Sequence, residues 1–261
     1  MDRVTQLFEH YTSTKPRITI DGVVYYLLEG DLLLNADQLH VYCLQQAERE
    51  QTGGEAREGL VAMATADGKI VRWAPGKVLG YVVVRGTFPD EASYRKVVTA
   101  MRQATADWEG ACGVKFLHLQ AQDAALLPGQ PPPVFDVRYY DTQGAFIAVA
   151  FFPNDPVAQR HVFIDPSFFR SDLFYNPIGV LRHELGHVLG FRHEHIRSGA
   201  PADCPQEGTL DARDLTPYDP QSVMHYFCGG IGSRDMQLTD VDKQGARAVY
   251  GAPYSEVAFI D

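Results

Sequence analysis

The sequence predicts an α/β (α+β) architecture built around a mixed, twisted sheet, and three observations predict it. Short runs rich in β-branched and aromatic residues recur along the 261 residues. Longer segments carry apolar residues at helical spacing. The two kinds alternate as strand, helix, strands and helix rather than segregating. At 45% hydrophobic residues the chain can bury one sizeable core plus an appendage, or two modest domains.

Taken in order, "RITIDGVVYYLLEGDLLL" from Arg17 to Leu34 reads as β-rich runs around an Asp21-Gly22 turn and a Glu29-Gly30-Asp31 turn. Asn35 is a candidate N-cap for a helix "ADQLHVYCLQQAEREQ", in which Leu39, Tyr42 or Cys43, and Gln46 or Ala47 share a face. The segment "TGGEAREG" (Thr52–Gly59) is small, polar and charged, as suits a protease-accessible linker. Beyond it, "KVLGYVVVRG" reads as a buried strand. Val97, Val98, Met101, Ala104 and Trp108 then mark an amphipathic helix within "DEASYRKVVTAMRQATADWEGA". Strands are expected at Val114–Leu119, Val134–Tyr140, Phe146–Phe151 and His161–Ile164, with the Pro-rich "LPGQPPP" as a surface loop. No internal repeat is visible.

A net charge of −10 argues against a nucleic-acid partner, which requires clustered Lys and Arg. No apolar run reaches membrane-spanning length, so no membrane insertion is expected. The stretch "MDRVTQLFEHYT" has no basic-then-apolar leader pattern. Of the four cysteines, Cys204 and Cys228 bracket a loop-rich segment where one bridge is plausible. Three pairings are formally open. Oligomeric state is not readable.

Four of the nine histidines fall within "LRHELGHVLGFRHEHIR" (Leu181–Arg197). His183 and His187 are four apart, so a helix stacks them on one face about 6 Å apart at Cβ. At that separation both imidazoles reach one zinc ion at about 2 Å. Glu184 stands beside the first ligand, able to reach a water at the metal without occupying the metal. Gly190 is suited to a left-handed turn that ends the helix and brings His193 in as a third ligand. Three neutral nitrogens leave one position open, the mark of a catalytic rather than a structural zinc site. His118 and His161 lie in strand-like runs and read as ordinary core or surface histidines. His195 and His225 have no ligand spacing of their own, and "RYYD" reads as packing.

"HELGHVLGFRH" resembles the long zinc motif of the metzincin metallopeptidases, and "HEHIR" is similar to its continuation in the astacin branch. "SVMHY" (Ser222–Tyr226) resembles that branch's Met-turn. The resemblance implies that Met224 forms an apolar floor beneath the zinc, and that Tyr226 either ligates the metal or swings to the transition-state oxyanion. Ser198-Gly199-Ala200 departs from the charged run usual in astacins, and "QLTDVDKQGARAVYG" is similar to the closing helix of metzincins generally. By this resemblance residues 59–261 form the catalytic domain, with an N-terminal subdomain at 59–190 and a C-terminal one at 191–261. Metzincins generally act outside the cell, so a secreted protein is implied.

Leu28-Glu29-Gly30-Asp31 resembles the Phe-x-Gly-Asp motif of astacin prosegments, with Leu for Phe. That likeness implies an inhibitory prosegment at 1–58, with Asp31 as a fourth zinc ligand in a latent form and activation near Thr52–Gly59. A plain Gly-Asp turn is the competing reading of Asp31. Cys43 as a thiolate switch, or as a small buried hydrophobe, is another. Glu194 matches the astacin glutamate that pairs with the new amino terminus, and an ordinary surface carboxylate is the alternative.

The chemistry implied is zinc-dependent hydrolysis of internal peptide bonds in a protein or peptide substrate. Glu184 acts as general base and Tyr226 assists at the oxyanion. The resemblance implies that substrate extends along "AFIAVAFF" as an added strand, and a buried interior strand is the competing reading. The rivals are an exopeptidase or other amide hydrolase with the same zinc site, or a permanently inhibited binding protein.

Overall fold

The computed structural model describes residues 2–52, 60–65, 68–197, 199–204 and 212–257. The chain begins with helix α1 (Arg3–Thr14), whose Asp2 cap accepts a hydrogen bond from Thr5 N at 2.8 Å. The sequence reading did not anticipate it. Its signal was present, because Val4, Leu7, Phe8 and Tyr11 all pack into one cluster and follow helical spacing.

Strands β1 (Arg17–Ile20), β2 (Val23–Leu28) and β3 (Leu32–Asn35) form an antiparallel three-stranded sheet through the two expected turns. Helix α2 (Ala36–Thr52) starts at Asn35, whose carboxamide oxygen accepts from Gln38 N while the Gln38 side chain returns to Asn35 N. This N-terminal layer packs on the rest of the molecule through two apolar clusters. In one, Leu28, Leu32 and Leu39 meet Phe152. In the other, Ile18, Ile20 and Leu27 meet Phe146, Val149 and Phe163. Residues 53–59 of the expected linker lie outside the described residues.

The body begins with the short strand β4 (Val61–Met63), followed by β5 (Val78–Val83) and α3 (Glu91–Ala111). Then come β6 (Lys115–His118), β7 (Phe135–Tyr139), β8 (Ala148–Val149) and β9 (His161–Ile164). The sheet order is β6-β5-β7-β9-β8, parallel except for the last strand, which is antiparallel to β9. The expected strand Phe146–Phe151 is thus reduced to two residues. The Asp155 carboxylate captures Phe152 N at 2.7 Å and Asp155 N donates to the Phe152 carbonyl, so the chain turns away from the ladder.

Helix α4 (Pro177–Val188) is capped by Asn176 and lies against α3, with every residue from Gly179 to Val188 buried. The five apolar residues expected to line α3 are all buried in the core between sheet and helices. Past α4, β10 (Ala212–Asp214) pairs antiparallel with β4. Helix α5 (Asp240–Tyr250) closes the fold, with a reciprocal cap between Thr239 and Asp242. Of the three cysteine pairings open to the sequence, Cys204–Cys228 is the bond formed, and Cys43 and Cys112 are buried free thiols.

Candidate metal centre

Helix α4 presents His183 and His187 on one face, one turn apart. Gly190, at φ +91°, reverses the chain after the helix, and a Cβ there would meet the Val71 carbonyl. His193 returns to the same point in space. The three Nε2 atoms converge: His187 Nε2 lies 3.2 Å from those of both His183 and His193. All three rings are at most 3% exposed.

The far nitrogens explain why these rings point inward. His183 Nδ1 donates to the Val223 carbonyl at 2.8 Å, and His187 Nδ1 donates to the Phe191 carbonyl at 2.8 Å. With those protons committed, the Nε2 atoms face each other as lone pairs. Burial pushes His187 down to about 4, so its ring is neutral at physiological pH. Converging lone pairs in a dry pocket repel unless a cation sits between them.

Asp31 completes the cluster from the opposite side. The β2–β3 turn carries it inward through left-handed backbone at Glu29 (φ +58°) and Gly30 (φ +95°). Its Oδ2 lies 3.1 Å from His183 Nε2 and 3.2 Å from His193 Nε2. Its Oδ1 makes no hydrogen bond although it is buried, as suits an oxygen aimed at a cation. Asp31, His183, His187 and His193 each offer one atom, all within 4.8 Å of one another. Three imidazoles and a carboxylate are a donor set that fits zinc.

Glu184 lies beside the cluster, 3% exposed, with Oε2 unpaired. Burial, and then the negative charge of Asp31, push its pKa well above the ordinary value. The Tyr226 ring stacks among three imidazoles, with centroids 5.4 Å from His183, 4.6 Å from His193 and 4.6 Å from His195. Its hydroxyl faces Gly30 so closely that a Cβ there would lie 3.3 Å from it. Met224 is fully buried and packs on Gly186, the α4 residue between the two histidines, where a methyl group would overlap its sulfur. Beside Asp31, His183 and Glu184 opens a cavity of about 340 Å³, walled by Phe146, Ile147, Val180 and Met236.

The profile of the matrixin peptidase family matches residues 72–200. The chain is similar to the zinc metalloproteinase nas-5 of Caenorhabditis elegans, 32% identical over 118 residues, covering 39% of this chain and 31% of that protein. It is also similar to the astacin-like metalloendopeptidase of Gallus gallus, 40% identical over 62 residues, covering 18% and 15% of the two. The chain spans under a third of the length of the curated relatives it matches. The solved structure of myroilysin superposes with a TM-score of 0.50 at 17% identity, covering 73% of this chain and 98% of that one. Residues 72–200 form a matrixin-like domain.

The donor set above fits zinc, the metal named in the nas-5 relative. The structure brings together His183, His187, His193 and Asp31, with Glu184, Tyr226 and Met224 around them. It does not bring Cys43. That thiol is sealed among Leu39, Tyr42 and Ala47, and burial pushes it up to about 11. Glu194 is not a surface carboxylate. It is fully buried, accepts from Arg197 Nη1 at 2.7 Å and Asp219 N at 2.9 Å, and burial raises it to about 8.

Several supporting residues of the metzincin domain escaped the sequence reading. The Asp242 carboxylate accepts from Ser222 Oγ, Val223 N and Thr239 N, so α5 holds the turn whose Val223 carbonyl orients His183. Arg182, buried on α4, reaches the Asp107 carboxylate of α3 at 2.7 Å and the Met236 carbonyl. Arg192 and Glu29 form a buried pair at 3.1 Å. The Asp242 cap had a sequence signal, a Thr three residues before an acid. The two ion pairs had none, because their partners are far apart in the chain.

Proposed function

We propose that this protein is a zinc-dependent endopeptidase kept latent by its own N-terminal segment, with residues 1–58 as prosegment and 59–261 as catalytic domain. The observation that carries the reading is the Asp31 carboxylate lodged against three converging histidine nitrogens beside Glu184. His183, His187 and His193 would hold the metal, and Asp31 would take the remaining position in the latent chain. Bound zinc supplies Lewis acidity, which acidifies water and polarises a peptide carbonyl.

Every other role falls to side chains of this chain. Glu184 Oε2 takes the proton of the attacking water and returns it to the departing amine. Its burial raises its basicity, and removal of Asp31 takes away the like charge that raises it further. The Tyr226 hydroxyl, facing Gly30 in the intact chain, is placed to donate to the developing oxyanion once the turn leaves. Met224 supports the helix that carries both histidines. The apolar cavity beside Glu184 suits an apolar side chain of the substrate. Strand β8, last in its sheet and contributing Ala148 to that cavity, suits pairing with an extended peptide.

The test pairs metal analysis with turnover. Intact protein should bind one zinc and leave an internally quenched peptide uncut. Nicking between residues 52 and 60 should start cleavage at internal bonds, and Glu184→Ala should not cleave. Absence of turnover after nicking of fully zinc-loaded protein would reject the reading.

A further inference from the structure

A second cavity, of about 420 Å³, shares no lining residue with the one beside Glu184. Its walls include Leu79 of β5 and three aromatic rings, Trp73, Tyr250 and Tyr254, with Arg72 and Lys77 beside them. Two of the rings are pinned by their polar ends. The Trp73 indole N–H donates to the Val188 carbonyl at 2.8 Å, and the Tyr250 hydroxyl donates to the Leu189 carbonyl at 2.6 Å. Those carbonyls stand at the end of α4, where no further helical turn can use them. The same hydroxyl accepts from Trp73 N at 3.3 Å, which ties one ring to the other. The rim is equally fixed. Lys77 N donates to the Ala74 carbonyl at 3.1 Å across Pro75 and Gly76, and Gly76 has φ +73°, as the second central position of such a turn requires. The space stays open because the residues around it are committed elsewhere.

Charge decides what would fill it. The chain as a whole carries −10, yet this cavity is lined by two cations and no carboxylate. Among the described residues neither cation forms an ion pair. Arg72 gives one N–H to the Val249 carbonyl and lies over the Tyr250 ring, 5.9 Å from its centroid, while Lys77 is exposed. We propose that the cavity is a binding site for a small aromatic carboxylate, its ring seated among Trp73, Tyr250 and Tyr254 and its carboxylate held by Arg72 and Lys77. Aromatic walls favour a flat ring over a saturated body of similar size, because ring pairs attract beyond the area they bury. Two cations select an acid over its neutral amide. A cavity of this order is large enough for such a molecule. The site takes no part in the peptidase reading, so each stands or falls alone.

The experiment uses the full intact chain, with naphthoate as the probe. The protein has two tryptophans, Trp73 at the cavity and Trp108 in the core, so their indole N–H signals in an NMR spectrum report position. Naphthoate should shift the Trp73 signal in a saturable way and leave that of Trp108 in place, with Trp73→Phe assigning the two. Naphthamide, and the fully saturated acid of the same carbon skeleton, should each bind about fivefold more weakly, the scale of one charge-assisted contact or one aromatic pair. Arg72→Gln combined with Lys77→Gln should bring acid and amide within about twofold of each other. Should that double variant fail to fold, Lys77→Glu, a change at an exposed side chain, judges the same point: it should weaken naphthoate about fivefold and leave naphthamide unchanged. A Trp73 signal that stays unmoved up to the solubility limit of the probe overturns the proposal. So does equal affinity of wild type for acid and amide, which would mark a plain apolar groove. A preference for the acid that survives loss of both cations, or that Lys77→Glu leaves untouched where the double variant does not fold, overturns it as well.

Discussion

His183 and His187 project from α4, a helix buried along its whole inner length and tied to α3 through Arg182 and Asp107. Their far nitrogens are bonded to backbone carbonyls, one of them on a turn clamped by Asp242. Asp31, which meets them, projects instead from a hairpin turn with left-handed backbone at two successive residues. Its layer is attached to the body by two small apolar clusters and a few polar contacts. The histidine side is thus anchored to the core through several hydrogen bonds. The aspartate side stands outside that core, since among the described residues the large cluster around Trp108, Met101 and Leu185 contains none from before Leu60. The three histidines and the carboxylate that meets them thus stand on different layers.

The largest effect expected from breaking this contrast is chemical. Glu184→Ala should lower peptide turnover of the nicked enzyme by about 10³-fold while zinc content stays at wild-type level, since removal of a general base costs about 10²–10⁴. Loss of metal along with activity would assign Glu184 to the scaffold instead. Next come two core deletions that should act on different layers. Trp108 is fully buried, stacks on Phe191 and donates to the Arg182 carbonyl. Trp108→Ala should cost about 3–5 kcal/mol and reduce amide protection throughout the body in hydrogen exchange. Leu39→Ala should cost about 2–5 kcal/mol but release protection only across residues 2–52, sharpening the comparison. Uniform loss in both variants would mean that the layers unfold as one.

A smaller effect is tied to pH. Burial drives His195 down to about 2, against an ordinary value of 6.5. A histidine whose folded pKa is depressed takes its proton more readily when unfolded. Its stabilising contribution is therefore whole above pH 6.5 and is lost as pH falls below that value toward 2. The metal-free chain should lose about 1.4 kcal/mol for each pH unit below 6.5 from this ring alone, and His195→Phe should flatten that slope in urea titrations. The smallest effect belongs to the outer face of the N-terminal layer. The Arg3–Glu50 pair, at 2.6 Å, has both side chains close to half exposed. Arg3→Ala should leave the unfolding midpoint unmoved, as is usual for solvent-screened pairs.

How much of this could be read from the chain alone depended on sequence distance. The helix with Val97, Met101 and Trp108 followed from its apolar spacing, and the Asn35 cap from its side chain. Helix α1 is equally legible in Val4, Leu7, Phe8 and Tyr11, which follow helical spacing. Strand β8 was overestimated, since an unbroken apolar run says nothing of where a carboxylate such as Asp155 will pull the chain out of a ladder. Strands β4 and β10 are too short and too distant from each other to carry a pattern. The burial of Glu194 is not legible in the sequence, because burial of a carboxylate is decided by what folds over it.

By itself the sequence determined that three imidazoles share one point in space. Helical periodicity sets His183 above His187, and a glycine free to turn left-handed returns His193 to them, all within eleven residues. Only the tertiary structure decided what faces that point. Asp31 lies 152 residues from His183, and Glu29 lies 163 from Arg192. Local preferences do not reach across such a distance. These contacts exist because apolar faces on the N-terminal layer found matching faces on the body, and the charges beside those faces were carried in with them.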